Sequence, residues 1–281
     1  MFEILRKEQL NENTFLMEIK AELAARNILP GQFVIIMTEE KGERIPLTIS
    51  AFNRKKGSIT IVFQAIGAST IKLSRLEAGD AVAHLVGPLG KATELEGISS
   101  ACVIGGGVGC AIALPEAKRL HDRGRYVDII AGFRSKDIVM LENEMKASSD
   151  RLIMCTDDGT YGEKGFVTDA LKRELESGRK YDCVIAIGPI VMMRAVSELT
   201  RSDGIRTIVS LNPIMIDGTG MCGCCRVTVD GKTMFACVDG PDFDAHKVDF
   251  NELLIRNGMY REQEAEAKDH VCRLYGGGND A

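Results

Sequence analysis

The stretch from about residue 98 to 211 constrains the fold most. Apolar runs "ACVIG", "YVDIIAG", "LIMC", "DCVIAIG" and "TIVSL" recur there, separated by the helical stretches "IVMLENEMKA", "FVTDALKREL" and "IVMMRAVSEL". Short buried strands alternating with amphipathic helices predict a parallel sheet with helices on both faces. Ahead of it, to about residue 97, turn signals cut the chain into shorter strand-like runs. "PGQFVIIM" starts at a turn, and "GSITIVFQAI" alternates, with Ile59, Ile61 and Phe63 on one face. "AGDAVAHLVGPLG" ends a further run at a Gly-Pro turn. This region predicts an antiparallel barrel or sandwich with one short helix over Ser69–Leu76. A third region, from about 212, holds a cysteine loop, a hairpin and a helical tail. The expected division is therefore 1–97, 98–211 and 212–281.

Composition limits what such an architecture can do. A net charge of −5 with scattered basic residues offers no electrostatic footprint for nucleic acid or an anionic membrane. The start, "MFEILRKEQLNENTF", is charged and lacks the continuous apolar stretch of a signal peptide. The longest uncharged run, Ile98 to Pro115, contains four glycines and a proline, which suits a strand, a turn and a helix start rather than a membrane span. The expected compartment is the cytoplasm, where nine cysteines are thiols or metal ligands rather than a disulfide framework. The end, "YGGGNDA", has the composition of a frayed tail.

"CVIGGGVGCAIALPEA" places a glycine turn between a buried strand and a helix. Unpaired N–H groups and the positive end of the helix dipole suit a phosphate there. As G-x-G-x-x-G it fails, because Gly105 and Gly107 fit but Cys110 stands in the third place. The acidic residue usual at the end of the next strand is also replaced, by "AGFRSKD" with Arg134 and Lys136. A glycine-rich turn without a ligand is the competing reading. "CTDDGTYGEKG" and "AIGPIVMM" also follow strands, so Asp157, Asp158 and Gly188 converge with the glycine turn on one crevice. Asp157 and Asp158 equally suit a plain turn.

The sharpest signal lies in "DGTGMCGCCRVTVDGKTMFAC". Asp230-Gly231 is a two-residue hairpin turn that sets 229 opposite 232 and 227 opposite 234. Continuing that ladder sets Cys237 opposite Cys224 and diagonal to Cys225, so three or four thiols separated in sequence are expected to gather at one end of a hairpin. Plant-type two-iron clusters use C-x4-C-x2-C with a distant fourth cysteine. Here the pattern is D-x4-C-x2-C-x11-C, with Asp217, Cys222, Cys225 and Cys237 as candidate ligands and Cys224 as the rival to Asp217. A zinc ribbon wants a second C-x2-C, and a redox C-x-x-C normally opens a helix. The spacing favours an iron–sulfur cluster over zinc or inert packing. Cys102, Cys110, Cys155, Cys183 and Cys272 are expected to be small buried hydrophobes. The histidines, His84, His121, His246 and His270, are scattered and form no catalytic or metal-binding pattern.

An antiparallel barrel, a nucleotide domain and a two-iron loop together resemble the ferredoxin–NADP reductase superfamily. The likeness runs from the first strand to about residue 260, and "RIPLTIS", "GGGVG", "TDDGTYGEKG" and "DGTGMCG" carry it. Within the superfamily the chain is similar to the electron-transfer subunits of B-type dihydroorotate dehydrogenases. It is more similar still to the small subunits of NADH-dependent reduced ferredoxin:NADP oxidoreductases, which share the aspartate in the first ligand place. The resemblance implies FAD held by Arg44, Pro46, Leu47, Thr48 and Ser50 of "RIPLTIS" and by Gly67, Ser69 and Thr70 of "GAST". It implies NAD(H) over Gly105, Gly106, Gly107 and Gly109, with Asp157, Asp158 and Gly188 near its other parts, while Arg134 and Lys136 leave room for a 2′-phosphate. It further implies a 2Fe-2S cluster on the cysteine loop and a larger, glutamate-synthase-like subunit with its own flavin and iron–sulfur clusters. Such pairs bifurcate electrons among NADH, ferredoxin and NADP. The chemistry would belong to the cofactors, which accounts for the lack of an evident catalytic acid or base. A dihydroorotate dehydrogenase subunit, a zinc-bearing binding module and a stand-alone flavin reductase are the alternatives.

Overall fold

The computed structural model describes residues 1–276. The first sheet is built from β1 (Phe2–Asn11), β2 (Thr14–Lys20), β3 (Phe33–Met37), β4 (Ile45–Asn53), β5 (Ser58–Gln64), β6 (Ala81–Val82) and β7 (His84–Leu89). Two short helices interrupt it, α1 (Glu22–Asn27) and α2 (Ala68–Leu73). The order is β6-β1-β2-β5-β4-β3-β7, and every pairing is antiparallel. Its two edge strands are joined through the single residue Ala83, whose N–H donates to Met37 O at 3.0 Å. The sheet therefore curls into a nearly closed barrel, which removes its free edges. "AGDAVAHLVGPLG", expected as one run, is split into β6 and β7 because the chain turns there from one edge to the other.

Alternation decides which side chains fill the barrel. Ile59, Ile61 and Phe63 of β5 point inward, with Met17 and Ile19 of β2 and Val34 and Ile36 of β3. Val62, between them, is also buried, but against Val103, Ile129 and other residues of the second sheet. Thus β5 is covered on both faces. The short helix expected over Ser69–Leu76 forms as α2, one residue earlier and ending at Leu73.

The second sheet contains β8 (Ser100–Gly106), β9 (Tyr126–Phe133), β10 (Arg151–Thr156), β11 (Glu163–Lys164), β12 (Cys183–Ile187) and β13 (Arg206–Ser210). Its helices are α3 (Gly109–His121), α4 (Glu142–Lys146), α5 (Val167–Glu176) and α6 (Ile190–Arg201). These strands pair in parallel, with order β11-β10-β9-β8-β12-β13. The chain moves outward from β8 through β9 to β10, then returns to the other side of β8 with β12. The switch point between β8 and β12 opens a crevice at the strands' carboxyl ends. "IVMLENEMKA" is helical only over α4, because Leu141 takes a left-handed conformation at φ 55° and breaks the helix ahead of Glu142.

The third region begins with the hairpin β14 (Arg226–Val229) and β15 (Lys232–Phe235). Val229 pairs with Lys232 and Val227 with Met234, the register that Asp230-Gly231 predicts. Both turn residues have positive φ, 52° and 68°, as a type I′ turn requires. β16 (Asp242–Asp244) then joins the second sheet antiparallel to β13, and α7 (Phe250–Asn257) and α8 (Arg261–Gly276) follow. One core links the parts: Phe33 and Ile35 of β3, Ile104 and Ile130 of the sheet, Cys225 and Val227 of the hairpin, and Phe243 of β16. The first two residues of "YGGGNDA" are helical in α8, and the rest of that expected frayed tail lies outside the described residues. Cys272 is exposed on α8, not buried as expected, because that helix covers little besides Val271. The other four cysteines of that group are buried. Among the described residues no helix is long and apolar enough to cross a membrane.

Candidate functional site

At the switch point, three of the four glycines are consumed by packing. A Cβ on Gly105 would stand 2.5 Å from Cys110 Cα, and one on Gly109 would stand 2.2 Å from Ile187 O at the end of β12. A Cβ on Gly106 would meet Met192 Sδ at 2.6 Å and Pro189 Cδ at 3.0 Å. A Cβ on Gly188 would stand 2.8 Å from Met192 Cε and 3.1 Å from Gly106 Cα. Gly107 differs: its φ is +56° and nothing lies within 4 Å of its missing Cβ. Its N–H donates to Gly132 O at 2.8 Å, which ties the turn to the end of β9. This turn therefore brings α3 hard against β12 and leaves one open, left-handed glycine facing the crevice.

Asp157 and Asp158 follow β10 at the same end of the sheet, both exposed. Asp158 Oδ1 accepts from Thr160 N at 2.9 Å and Thr160 Oγ1 at 2.7 Å, and these bonds hold its carboxyl below the usual range. It closes an Asx turn. Lys136 N donates to Thr160 Oγ1 at 2.9 Å, and Lys136 Nζ lies 5.9 Å from the Tyr161 ring centroid. Arg134 is exposed beside them.

The barrel brings its motif residues to this side as well, since α3 packs against β4. Pro46, Leu47 and Thr48 pair with Ile35, Val34 and Phe33, half-buried, and Ser50 is buried. Thr70 Oγ1 accepts from Gly67 N at 3.1 Å and donates to Gly67 O at 3.0 Å, so it caps α2. The Ser69 hydroxyl donates to Glu43. Arg44 reaches across to the third region, where its Nη1 lies 3.3 Å from Asp217 O and 3.7 Å from Asp217 Oδ1.

The cysteine loop sits over β3 and the hairpin. A Cβ on Gly218 would stand 2.4 Å from Ile35 Cδ1, so its glycine, at φ 82°, lets the loop lie flat on the barrel wall. The thiols associate as two pairs, Cys222 with Cys224 and Cys225 with Cys237. Backbone hydrogen bonds with Cys224 and Asp217 lower the Cys222 pKa, whereas burial pushes Cys237 up to about 12. Cys237 N also donates to Cys225 Sγ at 3.5 Å. The Asp217 carboxylate turns back on its own loop. Its Oδ2 accepts from Thr219 N at 3.0 Å, from the Thr219 hydroxyl and from Met221 N at 3.4 Å. These bonds, the Thr219 hydroxyl first, hold its carboxyl below the ordinary range.

Among the described residues no three His, Cys, Asp or Glu side chains converge tightly enough for one metal ion. A two-iron cluster makes a different demand, soft thiolate ligands spread over two irons with N–H donors to the sulfurs. The paired thiols and the N–H groups directed at them fit it. Cys222, Cys225 and Cys237 would hold such a group, with Asp217 or Cys224 completing the set.

Comparison with known proteins bears on the same loop. Residues 212–249 match the model of the iron–sulfur cluster binding domain of dihydroorotate dehydrogenase B. The dihydroorotate dehydrogenase B (NAD(+)) electron transfer subunit homolog of Thermotoga maritima is 45% identical over 274 residues, covering 98% of this chain and 96% of that protein. The chain belongs to this electron-transfer-subunit family. An uncharacterized protein of Clostridium beijerinckii, in the adh 3′ region, is 47% identical over 279 residues, 96% of this chain and 94% of its own length. A chain of the NADH-dependent reduced ferredoxin–NADP oxidoreductase structure, solved for insight into flavin-based electron bifurcation, superposes with a TM-score of 0.91. It is 42% identical and covers 96% of this chain and 97% of its own. The barrel-plus-parallel-sheet architecture expected for the family is the one found.

Three features escaped the sequence. Thr93 and Glu116, both buried, and the half-buried Asp242 form a polar cluster between the barrel, α3 and β16. Arg256 of α7 donates to Cys224 O at 3.2 Å. Tyr181 OH donates to the buried Asp128 at 2.6 Å beneath the sheet. No local pattern marks any of them, since each depends on pairing distant segments.

Proposed function

We propose that the chain is the FAD- and 2Fe-2S-bearing electron-transfer subunit of an electron-bifurcating NADH/ferredoxin:NADP oxidoreductase. It oxidises or reduces NAD(H) and exchanges electrons with a larger, glutamate-synthase-like flavin and iron–sulfur subunit, with ferredoxin an indirect partner. The observation that carries this reading is the likeness, over nearly the whole chain, to the oxidoreductase structure named above. The aspartate at the first ligand place supports it.

In this reading residues 1–97 hold the flavin, 98–211 the dinucleotide and 212–281 the cluster. Bound flavin and cluster supply the conversion of a hydride's electron pair into single electrons. The chain's own residues bind and orient. Arg44 offers a fixed cation to the flavin phosphates, while Pro46, Leu47, Thr48 and Ser50 line the wall beside the ring. Gly107 leaves its backbone open to the dinucleotide at the start of α3, and Asp157 presents an exposed carboxylate at the crevice rim. Arg44 also touches Asp217, so one side chain joins the flavin motif to the cluster loop.

The electron-transfer subunit of a B-type dihydroorotate dehydrogenase is the second reading, favoured by the family model on 212–249. Native mass spectrometry of the chain isolated without oxygen separates the two. One FAD, one two-iron cluster and a larger glutamate-synthase-like subunit are expected. A pyrimidine-pathway barrel subunit in its place would establish the second reading, and zinc without flavin would overturn both. Asp217→Ala tests the ligand set: the variant is expected to lose or damage its cluster and keep its flavin. An unchanged iron spectrum would assign the fourth ligand to Cys224.

A further inference from the structure

We infer that Arg256 is a positioning residue for the cysteine loop, fixing a peptide orientation there and favouring the electron-loaded cluster through its charge. The inference rests on the iron–sulfur reading above. Asp249 caps the start of α7, its side chain accepting from Glu252 N at 3.0 Å, and Phe250 and Leu253 bury one face of the helix. That packing carries Arg256, in the last turn, to the loop.

Two observations set this arginine apart. Its Nη2 donates to Cys224 O at 3.2 Å, and its Nε is buried with no hydrogen-bond partner among the described residues. Among those residues no carboxylate forms an ion pair with it. A partly buried guanidinium without a counterion is costly, and an anion brought beside it relieves that cost. A cluster held by three thiolates and a carboxylate is such an anion, and it becomes more negative when an electron arrives.

The hydrogen bond adds an orienting effect. Gly223 O accepts from Arg226 N at 3.4 Å and Arg226 Nη1 at 3.3 Å. The N–H of that same peptide, on Cys224, is directed at the Cys222 sulfur. In a planar trans peptide the two groups point opposite ways. By the same geometry Arg256, holding Cys224 O, turns the Cys225 N–H to the side away from the guanidinium. Arg226 and Arg256 thus hold two successive carbonyls of the loop.

Two variants that both keep a hydrogen-bond donor isolate the charge. Arg256→Gln keeps a donor for Cys224 O and removes the charge, whereas Arg256→Lys keeps the charge. Iron and acid-labile sulfide are measured on the anaerobically isolated protein, and the cluster potential by redox titration followed by EPR. The glutamine variant is expected to keep its cluster at a more negative midpoint, and the lysine variant to stay close to the parent. Loss of the cluster in the glutamine variant alone, with the lysine variant unchanged, also supports a need for the charge. An unchanged midpoint in the glutamine variant overturns the inference, as does an equal shift or equal cluster loss in both. A parent protein without iron and sulfide overturns the iron–sulfur reading itself, and with it this inference.

Discussion

Glu116→Gln should make the protein less sensitive to rising pH between weakly acidic and neutral conditions, by an amount the buried cluster fixes. Glu116 is fully buried in α3, and Thr93 Oγ1 lies 3.2 Å from its Oε1 and 2.6 Å from Asp242 Oδ2. A hydroxyl has one proton to donate, and the shorter contact takes it. The longer contact is then satisfied only if Glu116 is protonated and donates to Thr93. Burial first, and the neighbouring Asp242 charge second, raise the Glu116 pKa, while Asp242 is raised by burial and partly relieved by Thr93 and Ser210. Because the folded Glu116 holds its proton more tightly than the unfolded one, its contribution is fully present below the unfolded pKa. Above that value the unfolded chain gains stability by ionising, and the folded protein loses about 1.4 kcal/mol per pH unit until folded Glu116 also ionises. Glutamine, uncharged and of similar shape, removes that slope. The stability difference between variant and parent should therefore grow by about 1.4 kcal/mol per unit, about 2 kcal/mol in all from near pH 5.5 to near pH 7, which is roughly 3–5 °C in Tm over that window. Circular-dichroism melts at several pH values measure it. A difference independent of pH would refute the protonated Glu116.

Two glycines of one turn should behave in opposite ways. Gly109→Ala drives a methyl to 2.2 Å from Ile187 O and should cost at least about 2 kcal/mol, read as a lowered urea midpoint or insolubility. Gly107→Ala meets no atom and should cost only about 1–2 kcal/mol for its positive φ, yet raise KM for the dinucleotide in a steady-state assay. Tyr181→Phe removes the 2.6 Å donor to Asp128, which is wholly buried, and should cost about 1.5–3 kcal/mol in a urea titration. An unchanged midpoint would mean that Arg151, 3.5 Å from Asp128, satisfies it alone.

The features legible in the sequence are those whose cause is local. Alternation in "GSITIVFQAI" and the Asp230-Gly231 turn specify their strands through period and φ: Ile59, Ile61 and Phe63 share the inward face, and the hairpin forms in the expected register. What stayed hidden needs two distant segments at once. β16 is three residues long and is a strand only because β13 offers it an edge. Glu116 reads as an ordinary helical carboxylate until the fold seals it against Asp242. Leu141 breaks a well-patterned helix by adopting a conformation that leucine seldom takes.

The glycine turn shows why a missing fingerprint did not mean a missing crevice. Read as a phosphate motif, "GGGVGC" fails at Cys110. Read as packing, each departure has a cause. Gly105 has no room for a side chain because Cys110 fills that space, with its thiol 2.7 Å from where a Cβ would be. The small cysteine thus stands inside α3 where the fingerprint has its third glycine, and Gly105 supplies the clearance instead. Gly109 gives close passage past Ile187, the helix-to-strand contact that the third glycine serves in the standard motif. The backbone freedom needed for a close approach then falls on Gly107 alone. The same packing demands are met by a different distribution of glycines, so the fingerprint can fail while the strand–turn–helix geometry is kept.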